Sequence, residues 1–164
     1  MQGMTKRERQ ITDEAKIQEI LDAAKVLRLG LAVDNEPYVV PMNYGCARKE
    51  GKLVLYLHSA VQGKKLDMIR ANPHVFFEMD CDRMPFEGKV ACQYGMVYSS
   101  LMGRGTAHIV EDVEEKTKAM SILMKTQTGK DFEFTDRLVS IVSVIRVDVT
   151  EYTAKHRPLP EKLR

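Results

Sequence analysis

Leu55-Tyr56-Leu57-His58-Ser59-Ala60-Val61-Gln62-Gly63-Lys64-Lys65 is the stretch on which the reading of this chain turns. A strand ends in a loop of small residues, and the loop opens into a basic helix start. The strand half reaches back to Lys52, with Leu53, Leu55 and Leu57 alternating against Lys52, Val54, Tyr56 and His58, the two-residue period of a strand with two different faces. The helix half, Gly63 to Ala71, sets Leu66 and Ile69 against Lys64, Lys65, Asp67 and Arg70, and Asn72-Pro73 ends it. Such a junction suits a phosphomonoester: free helix N–H groups face the anion, the Ser59 hydroxyl can donate, and a lysine neutralises charge. A solvated helix face produces the same lysine pair, so residue chemistry alone leaves both readings open.

On the N-terminal side, Thr12 or Asp13 can cap a helix in which Ile17, Ile20, Leu21, Ala24 and Leu27 recur at steps of three and four. Leu29 to Val33, the turn Asp34-Asn35-Glu36 and Tyr38 to Tyr44 read as a hairpin, and Arg48-Lys49-Glu50-Gly51 turns the chain toward Lys52. On the C-terminal side, His74 to Cys81 returns as strand. Lys89 to Val110 is long and β-compatible, and Gly95, Gly103 and Gly105 favour a bulged, bent strand or pair. Asp112 caps a second helix to Thr126, with Glu115 at the capping-box position and Met120, Leu123 and Met124 inward. A last apolar run, Ile141 to Val149, precedes a polar tail, Glu151 to Arg164. The expected fold is mainly β: six or so antiparallel strands in a small Greek-key barrel with peripheral α-helices, not an alternating βαβ order. No G-x-G-x-x-G follows a strand, which disfavours a Rossmann nucleotide site.

With 164 residues, 44% of them hydrophobic, and no linker-like stretch, the chain is expected to be one domain with its core about 11–158. Charged residues are 29% of the chain and sum to a formal +2, too balanced to suggest a nucleic-acid or membrane partner. Met1 to Gln10 is polar and basic with no apolar h-region, and no stretch is long enough to cross a bilayer, so a cytoplasmic protein is expected. Cys46, Cys81 and Cys92 lie far apart without C-x-x-C spacing; buried free thiols are expected, and neither a disulfide framework nor a metal site.

Pro37 to Tyr44, then Tyr56-Leu57-His58-Ser59-Ala60 with Gly63-Lys64-Lys65, then Asn72-Pro73, then Cys92 to Gly105 follow one another in an order similar to the 5-nitroimidazole-resistance (nitroimidazole reductase) branch of the pyridoxamine-phosphate-oxidase-like FMN-binding split β-barrels. The similarity runs from about Ile11 to Pro158. It implies a six-stranded split barrel that binds FMN and works as a homodimer, with two equivalent sites at the subunit interface. It implies that Ser59, Lys64 and Lys65 hold the phosphate in the loop with Ala60 and Gly63, Lys65 taking the place of the family's most regular lysine. Val40, Pro41, Met42, Asn43 and Tyr44 would lie along the isoalloxazine ring, with Asn43 at its N- and O-rich edge. A proline there, unable to donate a ladder hydrogen bond, also fits a plain edge strand.

The resemblance further places Tyr56 and His58 at the cofactor, His58 near the substrate pocket, where an imidazole could hydrogen-bond a nitro group or pass a proton. A lone strand-end histidine is otherwise commonly structural. Tyr98 and Ser100 match the strand that closes the site, usually from the partner subunit. Gln93 departs from the pattern, standing where a small hydroxyl residue is common. Cys92 has no local base that would make it a nucleophile. The tail Thr153 to Pro158 resembles the family terminus, in which a basic residue, here Lys155 or Arg157, lies over the flavin; a solvated tail reads alike. The implied activity is that of a flavin reductase taking electrons from reduced nicotinamide or another donor and passing them to a small acceptor such as a nitro compound. The alternatives are a flavin-binding or storage module without its own substrate, and a degenerate barrel holding haem or another small ligand through His58.

Overall fold

The structure, a computed structural model, describes residues 6–163; residues 1–5 of the polar start and residue 164 of the expected domain lie outside the described residues. In chain order the elements are β1 (Gln10–Ile11), α1 (Glu14–Ala23), β2 (Val26–Val33), β3 (Glu36–Lys49), β4 (Lys52–Ser59), α2 (Lys64–Ala71), β5 (His74–Phe86), β6 (Gly95–Val110), α3 (Val113–Thr128), α4 (Asp136–Ser140) and β7 (Ser143–Arg157). Two tight turns set the register of the first three long strands. Asp34 and Asn35 both hold positive φ (51° and 65°), as do Glu50 and Gly51 (52° and 79°), the left-handed pairs a two-residue hairpin needs. Asp13 and Asp112 cap α1 and α3, accepting from Ala15 N–H at 2.9 Å and Glu115 N–H at 2.8 Å.

The strands form one antiparallel sheet in the order β1-β7-β4-β3-β2-β5-β6, and β6 pairs again with β7 to close the ring. Six strands make the barrel. The seventh, β1, adds two residues beside Lys155 and Ala154 and is too short to carry a readable period. The expected polar tail is corrected: β7 runs on to Arg157, because Tyr152 to Arg157 pair with Gly103 to Tyr98 of β6 while only Ala154 among them is fully buried. Similarly β5 continues past Cys81 through a bulge to Phe86, and the long glycine-containing segment is a single strand with a register shift at Arg104/Gly105. Cys81 is buried and Cys46 half-buried, but Cys92 is exposed in a 3₁₀ turn (Ala91–Gln93) rather than in a strand. Among the described residues no helix is long and apolar enough to cross a membrane.

Both faces of β4 are buried, for different reasons. Leu53, Leu55 and Leu57 face the barrel core with Leu27, Leu29, Phe77, Met79, Leu101 and Ile145; Val54 and Tyr56 face outward into a second cluster with Val110, Ala119 and Val144 under α3. β3 changes partners along its length. Its first half, Glu36 to Asn43, pairs with β2, and its second, Tyr44 to Lys49, with β4. The other edge of the first half is therefore free, and this is where the barrel is split.

The hand-over is held by α3. At Gly45 the helix backbone comes so close that a Cβ would lie 2.5 Å from both Cα and N of Leu123. Gly45→Ala is expected to lower unfolding stability by about 3 kcal/mol or more, because the obstacle is backbone and cannot turn aside. Urea denaturation checks this; an unchanged midpoint would contradict the close approach.

Candidate functional site

Ser59 ends β4 at 7% exposure, donating its hydroxyl to the Ala60 carbonyl at 3.0 Å and accepting from Lys65 Nζ at 3.3 Å. Gly63 opens α2 at φ 142° with no side-chain cap and open space where a Cβ would stand. The Leu66 and Asp67 amides turn back to the Gly63 carbonyl at 2.9 and 3.3 Å, so those of Lys64 and Lys65 have no partner within the helix. An ammonium, two outward amides and a hydroxyl that can donate once it turns from Ala60 thus converge at one helix start. This donor set fits a phosphate.

Lys64 leaves in another direction, its Nζ 4.8 Å from the centroid of the Tyr38 ring. That contact ties the start of α2 to the free-edge half of β3. The Asp34-Asn35 turn makes Val33 and Glu36 its hydrogen-bonded closing pair; alternation then aims the main chain of Tyr38, Val40 and Met42 at β2 and that of Pro37, Val39, Pro41 and Asn43 at the free edge. Both prolines fall where no ladder N–H is lost. The edge is left with the amides of Val39 and Asn43 as donors, between acceptor carbonyls.

The side chains of this segment turn inward at alternate positions. Met42 and Tyr44 are buried and Val40 packs on the core. The Tyr44 hydroxyl donates to the Leu21 carbonyl at 2.6 Å, and burial pushes its pKa far above the ordinary phenol value. The Asn43 amide donates to the Lys25 carbonyl and Gln127 Oε1, both at 3.2 Å, while Gln127 Nε2 donates to the Tyr44 carbonyl at 2.7 Å. Asn43 is exposed but fastened to the end of α3.

Tyr56 is buried under α3, which raises its pKa, so its ring faces the helix rather than the opening. His58 follows on the same face, half-buried, opposite Val144. Its Nδ1 is buried without a hydrogen-bond partner. A buried polar group left unpaired costs about 1–3 kcal/mol, and what His58 offers a ligand is the accessible part of its half-buried ring.

Tyr98 and Ser100 lie half-buried on the outer face of β6, opposite Arg157 and Lys155. Within one chain they lie far from the cradle along the strands. Ser59 pairs with Ser143 at the start of β7 and Ser100 with Lys155 near its end, which at about 3.3 Å per residue is roughly 40 Å of strand path. Arg157 stacks on Phe86 at 5.0 Å, over the bare Cα of Gly95. Gln93 is explained locally: its Oε1 accepts from the Lys89 amide at 2.9 Å and its Cβ packs on Gly88, closing the β5–β6 loop.

Several residues near these groups were given no site role in the sequence reading. Beside Ser100, Asp80 pairs with Arg28, which also reaches Glu78 at 3.4 Å; burial raises the Glu78 pKa while Arg28 opposes the shift. On the opposite face Ser99 Oγ and His156 Nδ1 are 3.0 Å apart on the wall of a cleft of about 440 Å³. Nearby, burial and then Asp82 push the Cys81 thiol up to about 12. Their sequence signal was at most alternation along β2, β5, β6 and β7, and the register across these four strands supplies the rest. Tyr44→Phe, which leaves the Leu21 carbonyl unpaired, is expected to lower stability by about 1–3 kcal/mol. Equal urea midpoints for wild type and variant would show that the bond contributes nothing.

The pyridoxamine 5'-phosphate oxidase family model matches residues 13–156. Among solved structures the chain is similar to a candidate 5-nitroimidazole antibiotic resistance protein from Bacteroides thetaiotaomicron, at 33% identity and TM-score 0.75, covering 90% of this chain and 86% of that one. It is also similar to an FAD-binding protein from Mesorhizobium loti, at 25% identity and TM-score 0.63 over 92% and 98% of the two chains. The flavocytochrome Anf3 of Azotobacter vinelandii shares the fold at 16% identity and TM-score 0.77, over 96% and 73%. No curated protein matches. A barrel split along the first half of β3, a phosphate-type donor set beside the split, and a family match over nearly the whole chain together show that this protein belongs to the pyridoxamine 5'-phosphate oxidase-like family.

Proposed function

We propose that this protein is an FMN-dependent reductase of small acceptors such as nitro compounds, working as a homodimer with a flavin at each end of the interface. The observation that carries the reading is the convergence of Ser59, Lys65 and the uncapped start of α2 beside an unpaired strand edge. Similarity to proteins whose names include FAD binding and 5-nitroimidazole resistance supports the choice of flavin and acceptor. When bound, the flavin supplies the redox chemistry, and the protein binds, orients and shields it.

Lys65 and Ser59 hold the phosphate, and the α2 amides add the positive end of the helix dipole. The main chain of Val39, Pro41 and Asn43 offers donors and acceptors to the N- and O-rich ring edge, with Val40, Met42 and Tyr44 fixing that strand from behind. His58, half-buried at the end of β4 next to Ser59, holds or donates a proton at the acceptor's oxygen atoms through the accessible side of its ring. Tyr98 and Ser100 of a second copy close the opening against water, since their own chain carries them away from Ser59.

Purified protein is expected to keep a flavin band in the visible spectrum after desalting, and Lys65→Ala to weaken FMN binding about 10- to 100-fold through loss of a charge-assisted bond. Absence of retained flavin in the wild type would sink the proposal and favour a barrel that holds haem or another ligand through His58. With flavin bound, reduced nicotinamide or dithionite plus a nitro compound should turn over faster than with free FMN, and His58→Ala should lower that rate about 10- to 1000-fold with flavin retained. Turnover no faster than free FMN would instead identify a flavin-carrying module.

A further inference from the structure

The two lysines at the start of α2 do different things. Lys65 Nζ lies 3.3 Å from Ser59 Oγ, whereas Lys64 Nζ lies 4.8 Å from the Tyr38 ring centroid. Lys64 is exposed and Tyr38 half-buried. Asp67, the acid in the first turn of α2, is taken by Arg70 at 2.9 Å. Lys64 is thus held beside the cradle by an aromatic face, a contact weak enough at an exposed site to give way to a charge-assisted bond with phosphate. Between the two lysines and the loop, Gly63 leaves open space.

Resting on the flavin reading above, we infer that Tyr38 and Lys64 are specificity-determining residues that read what lies beyond the flavin's phosphate, giving the site affinity for the dinucleotide FAD as well as for FMN. A monophosphate ends at Ser59 and Lys65. A second phosphate bonded to the first needs a second cation within one residue's reach, and Lys64 is the neighbouring residue. Moving its ammonium to that phosphate uncovers the Tyr38 ring, a flat and partly fixed surface on which a base can stack. Cation and ring are then used together, and only by the dinucleotide.

The test is retention from a mixture. The full chain is incubated with equimolar FMN and FAD and desalted, and the bound flavins are released and separated by chromatography. The wild type is expected to retain both. Lys64→Ala and Tyr38→Leu should each lower the FAD:FMN ratio about three- to tenfold, and Lys65→Ala should lose both flavins. Tyr38 contributes to the rim of the core, so Lys64→Ala, at an exposed position, carries the test if Tyr38→Leu melts early. An unchanged ratio in Lys64→Ala, or a wild type that retains FMN alone, overturns the inference while leaving the flavin reading intact. A wild type that retains neither flavin overturns both.

Discussion

The free edge of β3 is the constraint on which the rest of this structure depends. An unpaired strand edge is a standing invitation to pair with another chain. Here Pro37 and Pro41 occupy the positions whose main chain faces outward, so the edge offers too few donors to template a continuing ladder. The same substitution of prolines for donors leaves a sparse, spaced set of amides and carbonyls, better suited to a planar heterocycle than to another strand. What keeps the edge from closing is the hand-over at Asn43 and Tyr44, where Gly45 admits the backbone of α3 and Gln127 fastens the Tyr44 carbonyl. Core packing, through Tyr44 and its bond to Leu21, thus holds open the split that the site uses.

Placement of charge follows from that opening. Lys65 and the start of α2 stand at one end of it, and Ser59 is buried just enough to fix its hydroxyl while leaving it within reach of Lys65. The outer face of β5 and β6, with Asp80 beside Ser100 and Arg28 joining Asp80 to Glu78, lies remote from this cradle along β7. In the proposed dimer, a two-fold axis would bring remote ends of the two chains against each other twice, and the incomplete barrel face would become two complete sites.

Much of this was legible in the sequence, and what was not has physical reasons. Asp13 and Asp112 announced their helices because a carboxylate accepting from the first turn is a local interaction. The turns at Asp34-Asn35 and Glu50-Gly51 showed because left-handed backbone selects few residue types. The Ser59 to Lys65 junction is likewise continuous in the chain. By contrast, the strand from Glu151 to Arg157 was hidden because its residues are mostly polar and only half-buried, and alternation fades when one strand crosses from core to rim. Tyr56 was placed at the cofactor by resemblance, and nothing local in the sequence says that its face of β4 is roofed by α3. Cys92 was expected in a strand because its neighbours are β-compatible. The contact of Lys64 with Tyr38 joins residues on different elements and has no local signal at all.

The central claim is that each site is built from two chains, and subunit mixing tests it most directly. Lys65→Ala and a Tyr98→Ala, Ser100→Ala double variant each lack one half of the site and are expected to bind flavin poorly alone. If the halves come from different subunits, unfolding and refolding them together should restore wild-type flavin affinity at about a quarter of the sites, because half of the dimers are mixed and each carries one intact site. No restoration in a mixture shown to contain mixed dimers would contradict the shared site and place both halves of the chemistry within one chain.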